Sequence, residues 1–204
     1  MLDPMPVHLR EFGPAAVLAE VDDAAAALAL AIWARSRGVA ADEIVPAART
    51  VLFDGIRDGR ALAALLEAWS PGEPAPPGGL VELPVTYDGP DLEFVAEVWG
   101  VDVAEVVRRH GEVEYVASFC GFAPGFAYLA GLPAELAVPR LESPRAQVPA
   151  GSVALAGSWC GVYPSGSPGG WRLIGRTEAT LWDPAAYPPA LLAPGTRVRF
   201  RDAS

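Results

Sequence analysis

The 204-residue sequence predicts an α+β N-terminal domain followed by a mainly-β domain. In the first half, strand-like and helix-like segments alternate in an order close to β-α-β-β-α-β, over about 85 residues. In the second half the helical pattern ends at Gly111, and short β-type runs separated by proline and glycine follow. We therefore predict a small ferredoxin-like domain at residues 1–88. Residues 89–204 are predicted to form two short helices and a β-sandwich or barrel.

The elements of the first domain follow from local patterns. The run AAVLAEV predicts a strand, and Asp22 and Asp23 after it are good N-cap residues for an apolar helix that ends near Gly38. EIVPAARTVLFDG predicts a strand interrupted at Pro46, and residues 57–69 have the apolar spacing of a second helix. The run LVELPVTY predicts the last strand of this first domain.

Two short helices are expected at the start of the second domain. Asp91 is the predicted N-cap of LEFVAEVW, which ends at Gly100, and Asp102 is the predicted N-cap of VAEVVRRH. His110 falls in the last turn of the second helix, where a positive charge offsets the helix dipole. We prefer that interpretation to a role for His110 in a binding pocket.

The composition excludes several kinds of chemistry. The chain has no lysine, and all fifteen basic residues are arginines. A Walker A phosphate loop, a Schiff base and a Ser-Lys amidase site are therefore excluded. His8 and His110 are the only histidines, which is too few for a histidine-rich metal site, so we predict no metal. Cys120 and Cys160 are interpreted as small buried side chains of a reduced, cytoplasmic protein.

Charge and hydropathy argue against nucleic acid and membrane partners. Residues 1–112 contain 8 arginines and 19 acidic residues, whereas residues 113–204 contain 7 and 6. An acidic surface repels nucleic acid and anionic lipid. The long apolar run at residues 24–34 is shorter than the roughly 18 to 20 residues of a membrane span. The N-terminus shows no secretory pattern.

Residues 121–177 are the most informative segment because glycine, proline and aromatic residues recur there beside four arginines. Glycine lets backbone N–H groups approach a ligand, and proline fixes the turns that present them. Arginine binds carboxylate or phosphate with a planar, bidentate group. The segment therefore predicts a preformed pocket for a small anion.

The four arginines are the first candidate ligands for that anion. Arg140 and Arg145 each follow a proline, which stiffens the loop that carries them. Arg172 and Arg176 are four residues apart, so on a strand their side chains share one face. The alternative is that these are surface arginines paired with nearby acids, namely Glu142, Glu178 or Asp183.

Further candidates lie on the turn and on an aromatic run. Ser167, Gly169 and Gly170 of YPSGSPGGW could surround an anion with N–H and hydroxyl groups. Phe126 and Tyr128 share a strand face and could form an apolar wall with one hydroxyl. The alternatives are a tight β-turn without chemical function and ordinary core packing.

Several strings resemble the family of the 5-oxoprolinase B subunit, also labelled allophanate hydrolase subunit 1, which includes an inhibitor of a sporulation histidine kinase. They cover residues 81–200 almost continuously; among them are VELPVTYDGPDLEFVAEVWGV, GFAPGFAYLAGLP, VPAGSVALAG, GVYPSGSPGGWRLIGRT and LLAPGTRVRF. The resemblance implies a small N-terminal α+β domain and a C-terminal cyclophilin-like β-barrel.

The resemblance also implies a function. Family members form a non-autonomous subunit that, with 5-oxoprolinase subunits C and A, uses ATP to open the lactam 5-oxo-L-proline to L-glutamate. Phosphorylation of the carbonyl oxygen would activate the lactam. The arginines and turn N–H groups would then bind the substrate carboxylate and stabilise phosphoryl charge.

The alternative is a regulatory protein that binds and inhibits a sensor histidine kinase, with the acidic first half as its interaction surface. Independent amidase activity is discarded because the chain has no lysine.

Overall fold

The structure is a computed structural model that describes residues 7–70, 76 and 78–203. The chain divides into two compact units, Met1–Pro77 and Gly78–Ser204. Each unit has its own core of buried apolar side chains. Within the described residues, no helix has the length and apolar character needed to cross a membrane.

The N-terminal unit contains a four-stranded antiparallel sheet and two helices. In chain order these are β1 (His8–Glu11), β2 (Ala16–Glu20), α1 (Ala24–Ser36), β3 (Glu43–Pro46), β4 (Thr50–Asp54) and α2 (Gly59–Leu66). The strands lie in the order β1-β2-β4-β3. Asp23 caps α1 as predicted, since its carboxylate accepts a hydrogen bond from the Ala26 N–H at 2.8 Å. Leu30, Phe53 and Trp69 are among the buried side chains between helices and sheet.

The ferredoxin-like description of this unit is not confirmed. Strand β1 pairs with β2 at the edge of the sheet, in an antiparallel hairpin that the sequence pattern did not predict. The run LVELPVTY, expected to close this sheet, instead forms strand β5 (Leu80–Val85) of the second unit. Leu83 and Val85 point into the core of that unit, which explains why the strand belongs there.

The second unit is built mainly from strands. After β5 come α3 (Leu92–Trp99), α4 (Val103–Glu112), β6 (Tyr115–Cys120), β7 (Ala127–Ala130), β8 (Arg145–Val148), β9 (Ser152–Ala156), β10 (Trp159–Val162), β11 (Ser167–Gly169), β12 (Arg172–Arg176) and β13 (Arg197–Asp202). Seven strands form one sheet in the order β12-β9-β10-β7-β6-β13-β5, and β11 pairs with β8.

This seven-stranded sheet is mixed and nearly closes into a barrel. Strands β13 and β5 are parallel, whereas the other neighbours are antiparallel. The two edges approach each other where Thr86 and Arg176 exchange two backbone hydrogen bonds of 2.9 Å. The prediction of a mainly-β second domain is confirmed by these strands. The bridge between Thr86 and Arg176 also pairs backbone groups at the two sheet edges.

The two predicted helices are present, but their caps differ. Asp102 caps α4 by accepting a hydrogen bond from the Glu105 N–H at 2.8 Å. Asp91 occupies the N-cap position of α3 without making a side-chain cap. Its carboxylate instead accepts a hydrogen bond from the Leu173 N–H at 2.7 Å, so the predicted capping role is wrong. The carboxylate contacts β12 and makes no hydrogen bond to the first turn of its own helix.

His110 lies in the barrel core and does not offset the helix dipole. Its Nδ1 is 2.8 Å from the Tyr87 hydroxyl, and its Nε2 is 3.4 Å from the Cys160 sulfur. Burial lowers the pKa of His110 to about 3, so the ring is neutral at physiological pH. Cys160 is buried as predicted, and burial raises the pKa of its thiol.

Candidate functional site

A cavity of about 330 Å³ opens on the barrel unit. Its lining residues come from the β6–β7 turn, strand β7, the β9–β10 turn, strand β10, and the segments around residues 140 and 170. Most of its walls are aromatic, and they comprise Phe122, Phe126, Tyr128, Trp159, Tyr163 and Trp171. Arg140, Gly169 and Gly170 complete the polar and backbone parts of the lining. Five predicted site residues therefore meet in one cavity.

The aromatic walls are held by edge-to-face packing around Phe126. The centroid of its ring lies 5.2 Å from that of Tyr128 and 5.4 Å from those of Tyr163 and Trp171. Phe126 is 2% exposed, so it forms the floor and is itself part of a small core cluster. Such contacts fix ring orientations and give the cavity a preformed shape.

Phe122 stands at the rim in an unusual conformation. Its φ is +69°, which makes it the one non-glycine residue with positive φ in the described part of the chain. Its ring is 60% exposed and packs edge-to-face on Phe126 with centroids 5.3 Å apart. A bulky residue at positive φ is strained, and such residues cluster at functional sites.

Arg140 is the one charged side chain among the cavity-lining residues. It is exposed, and no carboxylate of a described residue lies within 4.0 Å of its guanidinium. The backbone on both sides is fixed, because Val138 and Gly157 exchange hydrogen bonds and the Leu141 N–H donates to the Gly170 carbonyl at 2.8 Å. The site therefore presents a positioned and unpaired cation beside aromatic walls.

Gly169 and Gly170 allow this arrangement by lacking side chains. A Cβ at Gly169 would lie 2.8 Å from the Cζ of Tyr163, which is too close for any larger residue without movement of that ring. A Cβ at Gly170 would lie 3.6 Å from the Arg140 Nη2. The turn thus brings its backbone close to both the phenol and the guanidinium, as the composition of the segment suggested.

Arg145 and Arg172 share a buried partner. Asp91, with a side chain 7% exposed, lies 3.0 Å from the Arg145 Nη2 and 3.5 Å from the Arg172 Nη1. Arg172 also covers the ring of Phe94, with its guanidinium carbon 3.6 Å from the ring centroid. The structure therefore places these two predicted anion ligands around a carboxylate of the chain itself, and neither is a lining residue of the cavity.

Two other predicted site residues also lie outside the cavity lining. Arg176 is half-exposed and pairs with Asp88 at 2.8 Å and with Glu178 at 3.6 Å. Ser167 lies on β11, and its buried hydroxyl has no hydrogen-bond partner in the described structure. An anion-binding role for these two residues stays a prediction.

The cavity is suited to binding and poorly suited to proton transfer. Its described lining residues include no carboxylate, histidine or cysteine. Burial raises the pKa of Tyr163, so its phenol is neutral and able to donate a hydrogen bond at physiological pH. Among the described residues, no cluster of three or more His, Cys, Asp or Glu side chains could hold a metal ion. A small molecule with an apolar surface and one anionic group matches this lining.

Four aromatic lining residues were not selected as site residues from the sequence: Phe122, Trp159, Tyr163 and Trp171. Phe122 belongs to the same GFAPGFAY run as two predicted residues, and Tyr163 and Trp171 flank the predicted PSGSPGG turn. Their position beside Gly- and Pro-rich turns was the available signal. Trp159 follows the β9–β10 turn at Gly157, but its edge-to-face contact with Tyr128 of β7 joins residues that are distant in the sequence.

A family model gives the class of domain to which the chain belongs. Residues 7–192 match the family model described as carboxyltransferase domain, subdomain C and D. The chain belongs to this family.

Curated relatives give the family a narrower name. The chain is 48% identical over 144 residues to the 5-oxoprolinase B subunit of Escherichia coli O157:H7, covering 69% of this chain and 66% of that protein. It is also 48% identical over 124 residues to the 5-oxoprolinase B subunit of Bacillus subtilis, covering 59% and 52%. The resemblance to the family of the 5-oxoprolinase B subunit is thereby confirmed. The matches span between about half and two thirds of these relatives.

Solved structures show the same fold in larger chains. The crystal structure of TTHA0988 aligns with a TM-score of 0.77 and 33% identity over 94% of this chain, but over only 40% of its own. The urea carboxylase of Kluyveromyces lactis aligns with a TM-score of 0.69 at 20% identity, covering 100% of this chain and 23% of its own. This second likeness shows the fold alone.

Proposed function

We propose that the chain is a non-autonomous subunit of an ATP-dependent 5-oxoprolinase, which opens 5-oxo-L-proline to L-glutamate together with subunits C and A. Relatives named as the B subunit of 5-oxoprolinase support a role in such a complex. The observation that carries the proposal is the unpaired guanidinium of Arg140 beside an aromatic cavity.

The chemistry of the substrate fits this cavity. 5-Oxo-L-proline is a five-membered lactam ring with one carboxylate. The ring would lie against Phe126 and Tyr128, and the carboxylate would bind the guanidinium of Arg140. A charge-assisted bidentate pair of this kind fixes orientation as well as affinity. The Tyr163 phenol and the turn at Gly169 and Gly170 add hydrogen-bonding groups at the same edge.

The remaining chemistry requires partner subunits. Amide resonance makes a lactam resistant to hydrolysis. Transfer of the γ-phosphoryl group of ATP to the carbonyl oxygen, with release of ADP, would give an electrophilic imidate phosphate. Addition of water to its carbon and breakage of the C–N bond would free the amine and leave an acyl phosphate, which a second water converts to L-glutamate and inorganic phosphate. Water attack then needs a general base, and none is present among the described residues that line the cavity. We assign the base and the main contacts to ATP to subunits C and A. We propose that the complex works in the cytoplasm, where ATP is available.

Reconstitution tests the proposal. The chain is mixed with candidate subunits A and C, and glutamate release from 5-oxo-L-proline is followed with and without ATP. We expect ATP-dependent release only when all three are present. Full activity without this chain would overturn the proposal. Absence of activity together with inhibition of a histidine kinase's autophosphorylation would establish the regulatory role in its place.

A further inference from the structure

The buried carboxylate of Asp91 is the meeting point of three segments near the cavity. It accepts a hydrogen bond from the Leu173 N–H of β12 at 2.7 Å. It also pairs with Arg145 of β8 and with Arg172 of β12. Because the side chain is 7% exposed, water cannot take the place of these partners.

Each of the two arginines holds a backbone atom next to the cavity. The Nε of Arg172 donates to the carbonyl of Pro139 at 3.1 Å, immediately before Arg140. The Nη1 of Arg145 donates to the carbonyl of Trp171 at 3.4 Å. Arg145 is also the register partner of Gly169 in the β8–β11 pair. The backbone before Arg140 and the backbone of Trp171 are therefore both linked, through arginine hydrogen bonds, to the carboxylate of Asp91.

From these contacts we infer that Asp91 is a positioning residue for the cavity and acts through Arg172 and Arg145 on Arg140 and Trp171. The inference rests on the proposed function, because it assigns Asp91 to the same substrate-binding site. It gives Arg145 and Arg172 an indirect role: both are paired with the single carboxylate of Asp91, and their geometry sets where Arg140 meets a carboxylate.

The chain contains a matched control for this inference. Glu114 also bridges two arginines, at 3.4 Å from Arg197 and 2.7 Å from Arg199. Those arginines lie on β13, and neither lines the cavity. Asp91→Asn and Glu114→Gln therefore both remove the charge of a carboxylate that bridges two arginines. The Glu114 side chain is 33% exposed against 7% for Asp91, and only Asp91 is connected to Arg140.

The test is a double-mutant cycle in the reconstituted complex. We expect Asp91→Asn to raise the KM for 5-oxo-L-proline by about tenfold or more, since small displacements of a binding group are costly. In an Arg140→Ala background, Asp91→Asn should raise KM by a much smaller factor, because only the contact from Arg145 to Trp171 is still affected. Glu114→Gln should leave KM unchanged in both backgrounds. Equal effects of Asp91→Asn with and without Arg140 would show a merely structural role and overturn the inference.

A second measurement keeps the inference independent of activity. In the isolated full chain, the side-chain Nε resonance of Arg140 should shift in Asp91→Asn and in Arg172→Gln, which keeps the Asp91–Arg145 pair, but not in Glu114→Gln. An unmoved resonance in folded Asp91→Asn and Arg172→Gln would overturn the inference even if the complex is active. An inactive wild-type complex with the expected shifts would instead overturn only the proposed function.

Discussion

The Nε2 of His110 lies 3.4 Å from the sulfur of Cys160 inside the barrel, although the two residues are 50 positions apart in the chain. Both groups are buried, and burial acts on them in opposite directions. It lowers the pKa of His110 to about 3 and raises the pKa of Cys160. The histidine is therefore too weak a base, and the thiol too weak an acid, for an ion pair to form. This contact is structural.

We expect the Cys160 thiol to be protected from modification in the folded chain. In a Cys120→Ser variant, which leaves Cys160 as the single thiol, reaction with a disulfide reagent should be at least about a hundredfold slower than in urea, because the reaction requires opening of the barrel. The rate is followed by release of the coloured thiolate. If the folded variant reacts as fast as the unfolded chain, the Cys160 thiol is not protected and the prediction is wrong.

His110 should make the stability of the chain depend on pH. Its pKa is about 3 when folded, against about 6.5 when unfolded, so between these values the unfolded state binds a proton that the folded state does not. Stability therefore falls as pH falls from 6.5 towards 3, with a contribution approaching about 1.4 kcal/mol per pH unit. In His110→Asn this contribution should be missing from urea unfolding curves. An unchanged pH slope would contradict it, and His8→Asn, at an exposed position, is the control.

The burial of Cys160 was predicted from the sequence, whereas the burial of His110 and its contact with Cys160 were not. Local patterns were enough to predict α1, α3, α4 and the mainly-β second half, since caps, helical spacing and Pro/Gly breaks are properties of neighbouring residues. The pairing of Asp91 with Arg145 joins residues 54 positions apart, and only the barrel brings them together. The sheet to which β5 belongs could not be predicted either, because its alternation of apolar and polar residues fits either sheet. Arg140, Gly169 and Gly170 were predicted because arginine and glycine have few roles in such turns. Phe126 and Tyr128 were predicted as well, whereas the other aromatic walls resemble an ordinary core in the sequence.

Gly151 should be more sensitive to substitution than Gly100. Both have positive φ, +80° and +65°, so alanine is strained at either position by about 1–2 kcal/mol. A Cβ at Gly100 meets no atom within 4 Å, whereas one at Gly151 would collide with the Thr177 carbonyl oxygen. We therefore expect Gly151→Ala to lose at least about 1 kcal/mol more than Gly100→Ala in urea unfolding. Equal losses would show that the backbone at Gly151 moves freely.

We expect the positive φ of Phe122 to be strained and to lower the stability of the folded chain. At its φ of +69°, glycine carries no steric penalty, whereas alanine keeps the strain. Phe122→Gly should therefore be about 1 kcal/mol more stable than Phe122→Ala in thermal unfolding. Because both variants lack the exposed ring, both should raise the KM of the complex for 5-oxo-L-proline by a similar factor. A Phe122→Ala variant as stable as Phe122→Gly would show that the turn relaxes and that no strain is stored there.

The most direct measurement of the central claim is the effect of Arg140→Ala on two lactams in the reconstituted complex. 5-Oxo-L-proline carries a carboxylate, and 2-pyrrolidinone is the same ring without one. Loss of a charge-assisted pair should raise the KM for 5-oxo-L-proline by about 10- to 100-fold and leave kcat/KM for 2-pyrrolidinone unchanged. The control is Arg201→Ala, which removes an exposed arginine paired with Glu82. An unchanged KM for 5-oxo-L-proline, or an equal loss on both lactams, would contradict the assignment of this cavity to the substrate carboxylate.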